Sequence, residues 1–221
     1  MEDKRLPLDC KPLDELLGGG LEFGIITEVY GEGGTGKTNI CLQAARSCAL
    51  RGKKVVFIDS EAVSRERLLQ ICGNDKKIVE NILFFFPYSL QEQEEVVRKA
   101  IKIDAGLIIL DSANLYYRLD MNEDEGAATR SLTRQLVNLQ IAARRKDIPV
   151  LITSQVYSVG NDVKPFGGRS MDHMAKTIIR LDKVKGKRTD GKEERIATLI
   201  KHRSQPGGKS KKFLIISSGL E

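Results

Sequence analysis

Residues 31–38 read GEGGTGKT, with Gly31 and Gly36 separated by four residues and followed at once by Lys37 and Thr38. This spacing suits phosphate binding. The glycines at 31, 33, 34 and 36 let the backbone curl until several N–H groups point at one spot. A helix starting there adds the positive end of its dipole. Gly31, Glu32, Gly33, Gly34, Thr35 and Gly36 would then cradle a polyphosphate. Lys37 would reach its β- and γ-phosphates, and the Thr38 hydroxyl would sit on Mg²⁺. Three further polar residues stand where apolar runs end. Asp111 closes GLIILD and suits a Mg²⁺ ion held through water. Glu61 follows FIDS and would polarise a water attacking the γ-phosphate. Gln155 follows PVLITS and would touch both the γ-phosphate and the loop after it. The expectation is a Mg-ATP site. Lys37, Glu61 and Gln155 carry the chemistry, residues 31–38 with Asp111 hold the nucleotide, and Thr38 with Asp111 hold the metal.

The elements that must position these residues are legible as alternating apolar runs and amphipathic stretches. Strand character appears at 24–30, 54–59, 82–86, 106–111 and 149–153. Helix character appears around 13–17 and at 39–50, 65–72, 90–103 and 126–146, the last with Leu132, Leu136, Leu139 and Ala143 on one face. Such alternation implies a mostly parallel, twisted sheet with helices on both faces. In such a sheet ligands sit beyond the carboxyl ends of the strands, where all four motifs fall. After 158 a polar loop runs to 172. Strands at 177–184, 195–201 and 212–217 follow without helices, so an antiparallel C-terminal extension is expected. The fold class is therefore α/β, a single P-loop NTPase domain over 1–221, with a lead-in at 1–22 and a basic hairpin region at 183–212.

The chain of 221 residues carries a net charge of +6. Between 183 and 212 there are eleven Lys or Arg against three acids, so the rest of the chain is slightly acidic. A basic surface on such a body points to a polyanion, nucleic acid first. Arg118, Lys164, Arg169, Lys185, Lys187 and Arg188 are the candidate DNA contacts, neutralising phosphates without reading sequence. Tyr116, Tyr117 and Phe166 are candidates for stacking on unpaired bases, or for burial. The four cysteines are scattered and read as reduced thiols. No apolar run approaches a membrane span and the first residues are charged, so an intracellular, cytoplasmic and nucleoid-associated protein is expected. His173 and His202 are too separated for a metal site, and no guanine-recognition N-K-x-D signature occurs.

GEGGTGKT, IDSE (58–61), LIILDS (107–112) and TSQV (153–156), in that order, resemble the RecA/RadA recombinase core. Residues 6–38 and the segment SEAVSRERL (60–68) are particularly similar to archaeal RadA, and nearly the whole chain is covered. The closest likeness is to the short archaeal paralogues of RadA. The resemblance implies a RecA-like ATPase fold, with Glu61 as activating carboxylate and Gln155 as the link to DNA-binding loops. It also implies Arg65 or Arg67 near the adenine.

The departures narrow this. RadA has a helical DNA-binding domain and an aromatic-bearing linker ahead of its core, whereas about six residues precede the core-like sequence here. The loop after Gln155 is shortened. These features imply an accessory of DNA repair and homologous recombination that binds ATP and DNA, hydrolyses ATP weakly and does not exchange strands. The run IKHRSQPGGKS (200–210) resembles the K-x-R segment of bacterial RecA and replicative helicases, making Lys201 and Arg203 candidate cations acting across a subunit interface, or two more charges on a basic hairpin. The family suggests RadA recombinase, a junction resolvase or a DNA polymerase as partners, and a homo-oligomer, a dimer first. Two other readings stand beside this one: an ATP-gated scaffold working through protein partners, and a ring ATPase of the KaiC or helicase kind.

Overall fold

The structure, a computed structural model, describes residues 5–160, 162–184 and 193–221. The chain opens with β1 (Arg5–Leu6), α1 (Lys11–Leu17) and β2 (Leu21–Glu22), a lead-in whose two short strands pair with each other. Then come β3 (Ile26–Gly31), α2 (Lys37–Leu50), β4 (Val55–Asp59), α3 (Arg65–Cys72), α4 (Lys76–Glu80), β5 (Ile82–Phe85), α5 (Leu90–Ala100) and β6 (Leu107–Asp111). The second half holds α6 (Leu115–Lys146), β7 (Val150–Ser154), the hairpin β8 (Val156–Val159) and β9 (Asp162–Pro165), α7 (Gly168–Met174), β10 (Thr177–Lys183), β11 (Glu193–Lys201), β12 (Ser210–Ile216) and β13 (Gly219–Leu220).

One nine-stranded sheet runs β13-β12-β11-β10-β3-β7-β6-β4-β5. Its central strands β3, β7, β6 and β4 are buried on both faces because apolar residues alternate between two helical layers. Along β4, Val55 and Phe57 pack into the layer containing α1, α2 and α3, while Val56 and Ile58 pack into the layer containing α5, α6 and α7. The carboxyl ends of β3, β4, β6 and β7 lie side by side, in register through pairs such as Asp59 with Asp111 and Tyr30 with Ser154. That register brings the four sequence motifs to one edge.

Three features differ from expectation. β10 pairs parallel to β3, so only β11, β12 and β13 form the antiparallel extension. The segment expected as a polar loop contains the β8–β9 hairpin and α7, and this supplies the crossover that a parallel strand requires. The long helix starts at Leu115, well before 126. It breaks at Asp124, whose backbone is non-helical and whose Oδ1 accepts from Ala127 N at 2.8 Å, capping the second part.

Candidate nucleotide site and nucleic-acid interface

The phosphate-loop sequence turns between β3 and α2 as its glycines demand. A Cβ on Gly31 would stand 2.4 Å from Leu181 O of the neighbouring strand, and Gly36, at φ 103°, leads into the first turn of α2. Thr35 Oγ1 closes the loop by donating to Glu32 O at 2.8 Å. Lys37 Nζ donates to Gly31 O at 2.8 Å and to Glu32 O at 3.1 Å. Burial lowers its pKa, and the nearby carboxylates of Glu61 and Asp111 pull it back up. Arg195 of β11 braces the same loop from outside, its Nε and Nη2 donating to Gly34 O at 3.2 and 3.0 Å. In the sequence Arg195 was one charge in a basic run; its target lies 161 residues away.

Asp111 is wholly buried at the end of β6. Its Oδ1 accepts from the Thr153 hydroxyl, and its Oδ2 has no hydrogen-bond partner. Burial pushes its pKa up to about 6 against the opposing pull of the Thr153 and Thr38 hydroxyls. An orphaned carboxylate oxygen close to a threonine hydroxyl at the end of the phosphate loop fits a Mg²⁺ ion. Among the described residues no cluster of three or more His, Cys, Asp or Glu is arranged to hold a metal. The ion would thus depend on Thr38, Asp111, water and phosphate oxygens.

Glu61 is set by Asp59, which accepts Glu61 N at Oδ1 (3.1 Å) and Val63 N at Oδ2 (2.7 Å). Ser60 N donates to Asp111 O at 2.7 Å, tying that turn to β6. Glu61 itself is exposed, and its Oε1 accepts from Gln155 Nε2 at 2.8 Å. A cleft of about 430 Å³ has Gly31, Lys37, Glu61, Arg118, Gln155 and Tyr157 among its lining residues. The loop of residues 31–37, the Glu61 carboxylate, the Gln155 amide and the hairpin therefore share one space. A second cleft of about 250 Å³ has Thr38, Asn39, Val63 and Arg67 in its wall. Arg67 lies there with Nε on Asn39 Oδ1 at 2.6 Å and Nη1 on Ser217 O at 2.7 Å, whereas Arg65 does not line it.

Above this site the β8–β9 hairpin carries a small aromatic and cationic surface. The Arg118 guanidinium lies 5.6 Å from the centre of the Phe166 ring, and Tyr157 meets Phe166 with centroids 4.9 Å apart. Lys164 pairs across the hairpin with Tyr157. Tyr117 is buried, and Tyr116 Oη donates to Pro87 O at 2.6 Å, so these two rings serve the body of the protein. Tyr157, which sequence reasoning missed, is 43% exposed. Arg169 falls within α7. Lys185, Lys187 and Arg188 lie outside the described residues. Lys201 Nζ donates to Ala175 O at 2.9 Å and also to Asp172 O, which anchors the end of α7. Arg203 is ion-paired with Glu22, which also meets Arg5 at 3.2 Å. The four cysteines are buried and free.

The Rad51 family model matches residues 5–221. The chain belongs to the Rad51 family. The RecA-like fold of that family is the one described above. Curated relatives include the DNA repair and recombination protein RadB of Methanococcoides burtonii, 45% identical with 98% of this chain and 97% of the relative covered. The proteins of the same name from Thermoplasma volcanium and Archaeoglobus fulgidus are 44% and 38% identical, over 98% and 100% of this chain and 92% and 100% of theirs. A solved structure titled "Crystal structure of the RadB recombinase" superposes with a TM-score of 0.82 at 32% identity, covering 98% of each chain. The likeness to the short archaeal paralogues of RadA thus holds along the full length, and those Rad51-family paralogues are RadB proteins. No helix among the described residues is long and apolar enough to cross a membrane.

Proposed function

We propose that this Rad51-family protein is an accessory of DNA repair and homologous recombination that binds Mg-ATP and DNA, turns ATP over slowly and does not exchange strands. The observation that carries the reading is the Gln155–Glu61 hydrogen bond, because it joins the residue at the root of the hairpin to the carboxylate beside the phosphate loop. Bound Mg-ATP would supply the phosphate charge that Lys37 and the loop amides neutralise. Thr38 and Asp111 would hold the metal. Glu61 would take the proton of an attacking water, and Gln155 would exchange its hold on Glu61 for one nearer the γ-phosphate. Since Gln155 begins the hairpin, that exchange would change how Arg118, Lys164 and the Tyr157–Phe166 pair meet DNA. The contact would be with phosphates and base faces, and hence independent of sequence.

The cleft wall containing Arg67 is the better candidate for the adenine. Lys201 and Arg203 both have partners within the chain, so a role across a subunit interface requires those contacts to open. A homodimer is the assembly proposed. RadA recombinase, a junction resolvase and a DNA polymerase are the partner classes in view. The test is the affinity for a single-stranded oligonucleotide with a non-hydrolysable ATP analogue and with ADP. A several-fold difference supports the reading. DNA binding that ignores the nucleotide, or none at all, favours the scaffold alternative.

A further inference from the structure

Asn114 stands between Asp111 and the first turn of α6 and is wholly buried. Asparagine at the start of a helix ordinarily caps the first free N–H groups. Asn114 makes no capping bond. Instead its Nδ2 donates to Gln155 O and Phe166 O, each at 2.9 Å, and its Oδ1 accepts from Gln155 N at 2.8 Å. Gln155 and Phe166 are the residues flanking β8 and β9, and they also bond to each other, Phe166 N to Gln155 O at 3.2 Å. One buried amide therefore grips both stems of the hairpin at its root. One turn later, on the same side of the helix, Arg118 covers the Phe166 ring. The strand end behind this clamp is also fixed: Ala113 N donates to Thr153 O at 2.9 Å, and Thr153 is bonded to Asp111.

We infer that Asn114 is the positioning residue through which the nucleotide site and the DNA-facing hairpin are coupled. It holds the Gln155 backbone fixed while the Gln155 side chain is free to change partner. It also passes any shift of the Asp111 strand end to both hairpin stems at once. With the clamp removed, the Gln155 amide can answer the nucleotide while the hairpin goes its own way. All three bonds would be lost in Asn114→Ala. Asn114→Thr keeps a hydroxyl able to serve one carbonyl.

This inference rests on the proposed ATP and DNA binding, and the experiment separates the two. The readout is the ratio of oligo-dT affinities measured with a non-hydrolysable ATP analogue and with ADP, alongside the affinity for a fluorescent ADP. Couplings of this kind are typically about 5- to 150-fold. The expected result is a ratio that falls toward one in Asn114→Ala and lies between in Asn114→Thr, with ADP affinity within about twofold of wild type. Should Asn114→Ala be unfolded by circular dichroism, Asn114→Thr alone decides, and a reduced ratio is the supporting result. A wild-type ratio retained in the folded variant, or a loss that merely tracks weaker ADP binding, overturns the inference and leaves the proposed function standing. A ratio of one in the wild-type protein overturns both.

Discussion

Gln155 Nε2 donates to Glu61 Oε1 at 2.8 Å, joining residues 94 positions apart. Each was read separately as facing the γ-phosphate, and the fold makes them direct partners. A carboxylate that accepts this bond is held in place but partly satisfied. On the proposed mechanism, water activation by Glu61 would require release of Gln155, and the two would belong to the same event.

Removal of the Gly31 hydrogen tests the packing of the phosphate loop. In Gly31→Ala the new methyl meets the carbonyl of Leu181 in the adjacent strand, which cannot yield without disturbing the β3–β10 pairing. Overpacking of this sort costs about 1–3 kcal/mol. In a chain of this size that is a fall of roughly 2–12 °C in the melting midpoint. An unchanged midpoint would mean that the two strands are less tightly apposed than described.

Glu28 should make stability depend on pH. It is fully buried in β3, with Oε1 accepting from Ser154 Oγ at 2.7 Å and Oε2 without a hydrogen-bond partner. Burial pushes its pKa up to about 7 from an ordinary 4.5; the Ser154 bond and Lys201 oppose this, and Asp172 adds to it. The folded state thus holds the proton more tightly than the unfolded state. The stabilisation is complete below about 4.5 and is lost as pH rises through about 7. Urea midpoints at pH 5 and pH 8 should differ more for wild type than for Glu28→Gln. Buried Asp111 is present in both proteins, so the difference isolates Glu28. Equal shifts would remove Glu28 from the account.

DNA affinity should fall steeply with salt, log K declining linearly with log salt concentration. Arg118→Ala and Lys164→Ala should each flatten that slope by about one. A flat dependence in the wild-type protein would assign the basic surface to a protein partner.

Lys201→Ala should loosen α7, because it removes donors from the carbonyls of Asp172 and Ala175. Faster hydrogen exchange across 168–176 is the expected readout, with ATP turnover per subunit independent of protein concentration. Turnover that climbs with concentration and collapses in Lys201→Ala would instead place this lysine across a subunit interface.

The legible part of the protein was whatever its local chemistry dictates. The proposed phosphate loop stands out because its glycines, lysine and threonine lie within eight consecutive residues. Asp111 and Gln155 could be placed because each ends an apolar strand, and parallel strands bring such ends together. Asn114 was missed because its partners lie 41 and 52 residues on, and an asparagine before a helix looks like a cap. Arg195 was missed for the same reason of distance. The stretch from 158 to 172 read as a loop because the strands and helix there are short and interrupted by Gly and Pro. With α7 unseen, nothing indicated that β10 would run parallel. Tyr117 was a plausible base-stacking ring only while the helix was thought to begin at 126; as part of α6 it turns into the core.

The central claim is that one site binds ATP, activates water through Glu61 and answers to DNA. It is tested most directly by ATP hydrolysis of wild type, Lys37→Ala and Glu61→Gln, each with and without single-stranded DNA. The account predicts slow wild-type turnover that changes with DNA. Lys37→Ala should lose about 10- to 100-fold in nucleotide affinity, and Glu61→Gln should bind ATP normally but hydrolyse it at least about 100-fold more slowly. Glu61→Gln turning over at the wild-type rate, or wild-type turnover indifferent to DNA, would contradict it.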